Sequence, residues 1–227
     1  MDYCLAPNAK MDVVLKIIVF GPPVLFSIIL HEVMHGYVAY LMGDDTAKRQ
    51  GRLTLNPIKH IDPFGTVILP LVLILTGSHV LFGWAKPVPV NVLRTRNPKQ
   101  AMGLTALAGP LTNLALAVAA VILVRVLGLR DELAGYLMFR RPAGFLALVL
   151  LGLLIINIIL AVFNLIPIPP LDGGRVLTWL LPDKQARAFA GIERYGMFIV
   201  FGLVLFNPFH ILTILLDGAL NFFLSFI

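Results

Sequence analysis

Uncharged apolar runs long enough to cross a bilayer recur along this chain. They restrict it to folds in which each backbone polar group is satisfied without water. A hydrocarbon layer of about 30 Å takes about 20 residues of helix. Up to six segments read as spans, at about 12–42, 64–83, 101–127, 143–166, 191–206 and 208–226, the last two short and parted only by Asn207-Pro208. Composition agrees: 59% of residues are hydrophobic and 13% charged, far from the balance of a soluble domain. The expected architecture is an all-α polytopic membrane protein of about six transmembrane helices, forming one domain over residues 1–227 with its C-terminal helices at about 191–226.

The 18 lysines and arginines fall four apiece in four inter-span loops or, for Arg125 and Arg194, in the span ends beside them, with Lys10 and Lys16 besides. The net charge of +6 therefore reads as attraction to lipid headgroups and not as a nucleic-acid surface. The first run is expected to stay in the mature protein, because no small-residue cleavage site follows a short apolar stretch. Cys4 is the single cysteine. No internal disulfide or multi-cysteine metal site can form, so a metal would be held by histidine and carboxylate.

The first span contains HEVMH at residues 31–35. Gly21-Pro22-Pro23 is expected to interrupt this run, with a fresh helix starting near Pro22. His31 would then lie about 13 Å along it, close to mid-bilayer. Residues four apart share a helix face, so His31 and His35 can direct two imidazole nitrogens at one ion, with Glu32 turned aside but near. Metalloproteases use this arrangement: two histidine ligands and a glutamate that moves the proton of the attacking water. Interhelical hydrogen bonding is the alternative, but three adjacent ionisable groups at that depth cost several kcal/mol on insertion scales, and packing alone does not account for them.

A catalytic zinc site takes three protein ligands and an open position. His60, His79 and His210 read as interface residues in or near loops. Asp172 follows the proline-broken NLIPIPP and precedes two glycines. It is either the third ligand, in a His₂-carboxylate set, or a turn residue of an Asp-Gly pair. Asn113, within GPLTN, and Asn164, eight residues before Asp172, could donate to an oxyanion or grip a peptide backbone; alternatively each makes a helix–helix hydrogen bond.

Two inter-span segments carry strand-like patterns: Arg52–Leu55 alternates, and 85–91 has prolines at alternate positions. Both are expected as short membrane-associated strands covered by protein or lining water.

HEVMH in an early span, GPLTN in a later one and NLIPIPPLDGG at the end of the next resemble the site-2 protease family of intramembrane zinc metalloproteases, peptidase family M50. GDDTAKRQGRLTLNPIKHIDPFG and GWAKPVPVN also resemble loops of a compact bacterial branch, and no tethered PDZ or CBS domain is expected. The resemblance implies one Zn²⁺ held by His31, His35 and Asp172, with Glu32 as general base and then acid. It implies substrate or oxyanion contacts at Asn113 and Asn164, and a catalytic core of 22–42, 101–127 and 143–166. The implied substrate is a transmembrane protein cut within or near its span, in a prokaryotic cell membrane. A metal-ion transporter using the same His/Asp site is the rival reading, but the internal repeat usual in transporters is not visible.

Overall fold

The computed structural model describes residues 13–68, 71–72, 75, 85–139 and 141–227. The expected span at 64–83 falls largely outside them, as do Cys4 and His79. Eight principal helices are described: α1 (Val13–Leu41), α2 (Pro98–Val126), α3 (Arg130–Phe139), α4 (Phe145–Asn164), α5 (Asp172–Leu180), α6 (Asp183–Ala190), α7 (Glu193–Phe206) and α8 (Ile211–Leu224). Three are long and apolar enough to cross a membrane, over Ile17–Leu41, Pro98–Val126 and Phe145–Asn164; a fourth span results if α6 and α7, bent by 64°, are taken together.

These boundaries follow from local chemistry. Asn97 accepts from the Gln100 amide through its side chain, and Pro98 occupies the first turn of α2, where its missing N–H is not needed. Gly128, at φ +68°, closes the same helix, with Leu129 N–H returning to Val124 O at 2.9 Å. Pro167, Pro169 and Pro170 prevent α4 from continuing and leave an irregular stretch before α5.

Helices α1, α2 and α4 pack against one another, each touching the other two. Small residues on α2, among them Ala101, Gly103, Ala106, Ala108 and Gly109, are buried and let neighbouring elements approach closely. Farther along, Ala117, Ala120 and Val124 join Leu150, Leu154 and Ile158 of α4 in the apolar core. Helix α5 rests on α2, with the Trp179 ring against Gly103. Large apolar side chains cover the outside, including Ile17, Phe26, Ile122, Phe198 and Phe206. That surface suits lipid and not water.

Three expectations are corrected. Helix α1 runs through Pro22 and Pro23 without interruption. The ladder bonds those prolines cannot donate are lost, but in a membrane helix neighbouring helices and side chains compensate, and Ser27 Oγ donates to Pro23 O at 2.7 Å. The second correction concerns strands: none forms at 52–55 or 85–91. Segment 85–91 forms no regular element and is pinned through side chains and irregular backbone. Arg52 donates to Lys86 O and Pro87 O, Lys86 N–H to His60 O, and Asn91 N–H to Asp44 Oδ2. Pro87 and Pro89 lack the donors that a ladder needs. Finally, α8 has 14 residues, about 21 Å of helix, which is short of a full crossing.

Candidate active site

The site is built where α1, α2 and the start of α5 meet. One helical turn separates His31 from His35, and their rings stand edge to face with centroids 4.6 Å apart. Each imidazole is held from behind. His35 Nδ1 lies 2.7 Å from Thr105 O, a carbonyl that can only accept, so the ring hydrogen is on Nδ1. His31 Nδ1 lies 2.5 Å from Asn113 Oδ1. Both Nε2 atoms then carry lone pairs, and they face each other at 3.0 Å.

Asp172 completes the arrangement from the first turn of α5. Its Oδ2 is 3.2 Å from His31 Nε2 and 3.3 Å from His35 Nε2. With both ring hydrogens on Nδ1, three acceptor atoms converge, a cluster that a metal ion, or a proton on one imidazole, relieves. The two nitrogens and the carboxylate oxygen match the donor chemistry of zinc. Glycines at two places create the room. A Cβ on Gly109 would stand 2.5 Å from His31 Cε1 and from His35 Nε2. One on Gly173 would collide with Leu165 O, and one on Gly174 with Pro169 N, so the glycines let the start of α5 fold back onto the irregular stretch.

Glu32 is anchored by a residue that sequence patterns do not single out. Its Oε2 accepts the Val88 amide hydrogen at 2.8 Å, while Oε1 has no hydrogen-bond partner among the described residues. The signal was the Pro-Val-Pro run itself: between two residues without N–H, Val88 supplies the sole backbone donor.

Of the two asparagines, Asn113 is fully buried beside the site and bonded to His31, and its Nδ2 donates to Asn157 Oδ1 at 2.7 Å. Asn164 instead donates to Leu160 O within its own helix at 2.9 Å, with no recorded bond to the three clustered residues. Asn157 is a second residue the sequence alone did not mark. Its only signal is an isolated amide in the apolar run LGLLIINIILAVF. His60 is buried and its Nε2 donates to Thr54 O, 2.8 Å away, and so belongs to the loop. His210 is exposed, in a left-handed conformation before α8.

A cavity of about 280 Å³ lies beside Thr105, lined also by Val90, Met102, Ala106, Gly174 and Arg175. The Thr105 hydroxyl is buried without a partner among the described residues.

Comparison with known proteins agrees with this geometry. Peptidase family M50 matches over residues 141–206, a stretch that includes Asn157, Asn164 and Asp172. A curated relative described as "Putative zinc metalloprotease YwhC", from Bacillus subtilis, is 43% identical over 189 residues, 80% of this chain and 77% of that protein. A Rip2 protein of Mycolicibacterium smegmatis with the same description is 33% identical over 184 residues, covering 80% of this chain and 64% of its own length. The similarly described MJ0611 of Methanocaldococcus jannaschii shares 40% identity over 77 residues, 34% of each chain. No solved structure matches. On the extent of these similarities, the chain belongs to peptidase family M50, the site-2 protease family of zinc metalloproteases.

Proposed function

We propose that this protein hydrolyses peptide bonds within or beside the transmembrane segments of membrane proteins, using His31, His35 and Asp172 as zinc ligands and Glu32 as the proton carrier. One observation carries the reading: two imidazole lone pairs and a carboxylate oxygen meet within 3.3 Å of one another inside a membrane-type helix core. Zinc held there would supply a Lewis acid, bringing the pKa of water to about 7 and polarising a carbonyl.

The protein's own groups do the rest. Glu32, fixed through Oε2 by Val88, keeps Oε1 free to take a proton from the attacking water and pass it to the leaving amine. Asn113 acts through His31. Asn164, at the end of α4, has Oδ1 left to accept from a substrate amide. A peptide inside a substrate helix is already hydrogen-bonded, so it must unwind before a nucleophile reaches its carbonyl. Segment 85–91 carries no helix, and Val90 offers N–H and C=O for pairing with the unwound stretch. The cavity beside Thr105 then receives a side chain next to the cut.

In this reading residues 1–227 form a single domain in a prokaryotic cell membrane. Its core is α1, α2 and α4, and the segment at 64–83 together with the bent α6–α7 pair completes up to five crossings. The test is co-expression of the wild type and Glu32→Gln with a panel of single-span membrane proteins, with bound zinc measured in both. Cleavage within a span by the wild type alone, at equal zinc content, is expected. Equal cleavage by both proteins sinks the assignment, and zinc retention with no cleavage in either brings back the transporter.

A further inference from the structure

We propose that Asn157 is a positioning residue for this site: by fixing the amide of Asn113 it selects the His31 tautomer whose bare Nε2 faces the ion. The proposal deepens the zinc assignment above and rests on His31 being a ligand.

The hydrogen bonds around Asn157 can run in only one direction. Leu153 O accepts and cannot donate, so the Asn157 atom 2.7 Å from it is the amide nitrogen. The second hydrogen of that nitrogen goes to Ser27 Oγ at 2.8 Å, and Ser27 passes its own hydrogen to Pro23 O at 2.7 Å. Asn157 Oδ1 is thereby turned toward Asn113, where it accepts from Nδ2 at 2.7 Å. Asn113 must then present Oδ1 to His31 Nδ1, 2.5 Å away, and the imidazole hydrogen is held on Nδ1.

Ser27, Asn113 and Asn157 are each 0% exposed, so water cannot repair a reversed link. If Asn113 turned over, its NH₂ would face Nδ1 and the imidazole hydrogen would move to Nε2, pointing at His35 Nε2 and at the ion. His35 needs no such relay, because the Thr105 carbonyl fixes it directly. The two ligands thus reach the same tautomer by different means, one from backbone and one from side chains on α1, α2 and α4. Ser27 is secondary, since Leu153 O alone orients Asn157.

The experiment uses the full chain in detergent micelles, labelled with ¹⁵N-histidine and stripped of metal, with signals assigned against His31→Ala. Ring-nitrogen correlations report each tautomer, and chelator competition reports zinc affinity. Wild type and Ser27→Ala are expected to show His31 protonated at Nδ1, with zinc affinities within about twofold of each other. Asn157→Leu is expected to mix the His31 tautomers, leave His35 unchanged and weaken zinc binding by about 10–100-fold. In that background Asn113→Asp, a side chain whose ionised form can only accept, should restore the Nδ1–H form, a rescue that a packing defect would not show. Asn157→Ser serves in parallel should leucine prevent folding. An unchanged His31 tautomer in the Asn157 variants overturns the proposal, as does a changed tautomer with unchanged zinc affinity. If the wild type binds no zinc, the ligand assignment itself falls, and the metal-free tautomer signal still decides whether Asn157 orients His31.

Discussion

The backbone of Val88 holds the side chain of Glu32: its amide hydrogen meets Oε2 at 2.8 Å, from a segment 56 residues away in sequence. Replacing Val88 with proline deletes that donor from a run that already has proline on both sides, while also exchanging the buried valine side chain beside Gly36. Hydrogen bonds to charged groups contribute about 1.5–3 kcal/mol, so a loss of tenfold or more in cleavage rate is expected at unchanged zinc content. Val88→Pro cleaving within twofold of wild type would remove Val88 from the mechanism.

Gly109 is the second point of sensitivity. An alanine there brings a methyl group to 2.5 Å from both imidazoles, which must then move apart. Gly109→Ala should lose bound zinc and activity together. Gly202→Ala, where the added methyl meets nothing within 4 Å, should keep both. Zinc quantification of the two purified variants checks the contrast.

Acid should weaken the loop framework through Asp44, which lies beyond the end of α1. Burial pushes its carboxyl up, but the Thr46 hydroxyl and amide, the Asn91 amide and nearby Arg94 together hold it below its ordinary value of 3.8. The ionised form is therefore favoured by folding. Its contribution is complete above the ordinary value and fades as pH falls through the lower native one. Thermal unfolding of wild type and Asp44→Asn should differ most at neutral pH, by about 1–3 kcal/mol, and begin to converge only below about pH 4. A gap that persists unchanged at pH 3 contradicts this account.

Metal removal offers a fourth check. With the ion gone, three acceptors are left facing one another, so chelation should abolish cleavage and lower the unfolding temperature. Zinc restored at about 100 times its dissociation constant should return about 2.7 kcal/mol of stability. His35→Ala, lacking one ligand, should show a much smaller zinc-dependent shift in the same melting experiment.

HEVMH and Asp172 are legible in the sequence because ionisable groups are costly inside a bilayer and glycines mark close backbone approach. The continuity of α1 through Pro22-Pro23 is not legible, since it depends on what surrounds the helix and not on the prolines themselves. Arg52–Leu55 alternates like a strand, yet Arg52 turns inward to hold two carbonyls of the 85–91 segment. Asn157 is visible as a lone amide in an apolar run, but an amide names no partner until the helices are packed. Val88 is hidden for a different reason: its contribution is a backbone hydrogen, and any residue except proline carries one.

The way the histidines are held also limits how a substrate can reach them. His31 is tied to Asn113 and His35 to Thr105, so both imidazoles of α1 are buttoned to α2 from behind. Parting these two helices to admit a peptide would undo both fastenings and release the imidazoles at the moment they are needed. On the proposed function, a substrate path that spares both fastenings leaves the α1–α2 seam shut and opens along another side of the core.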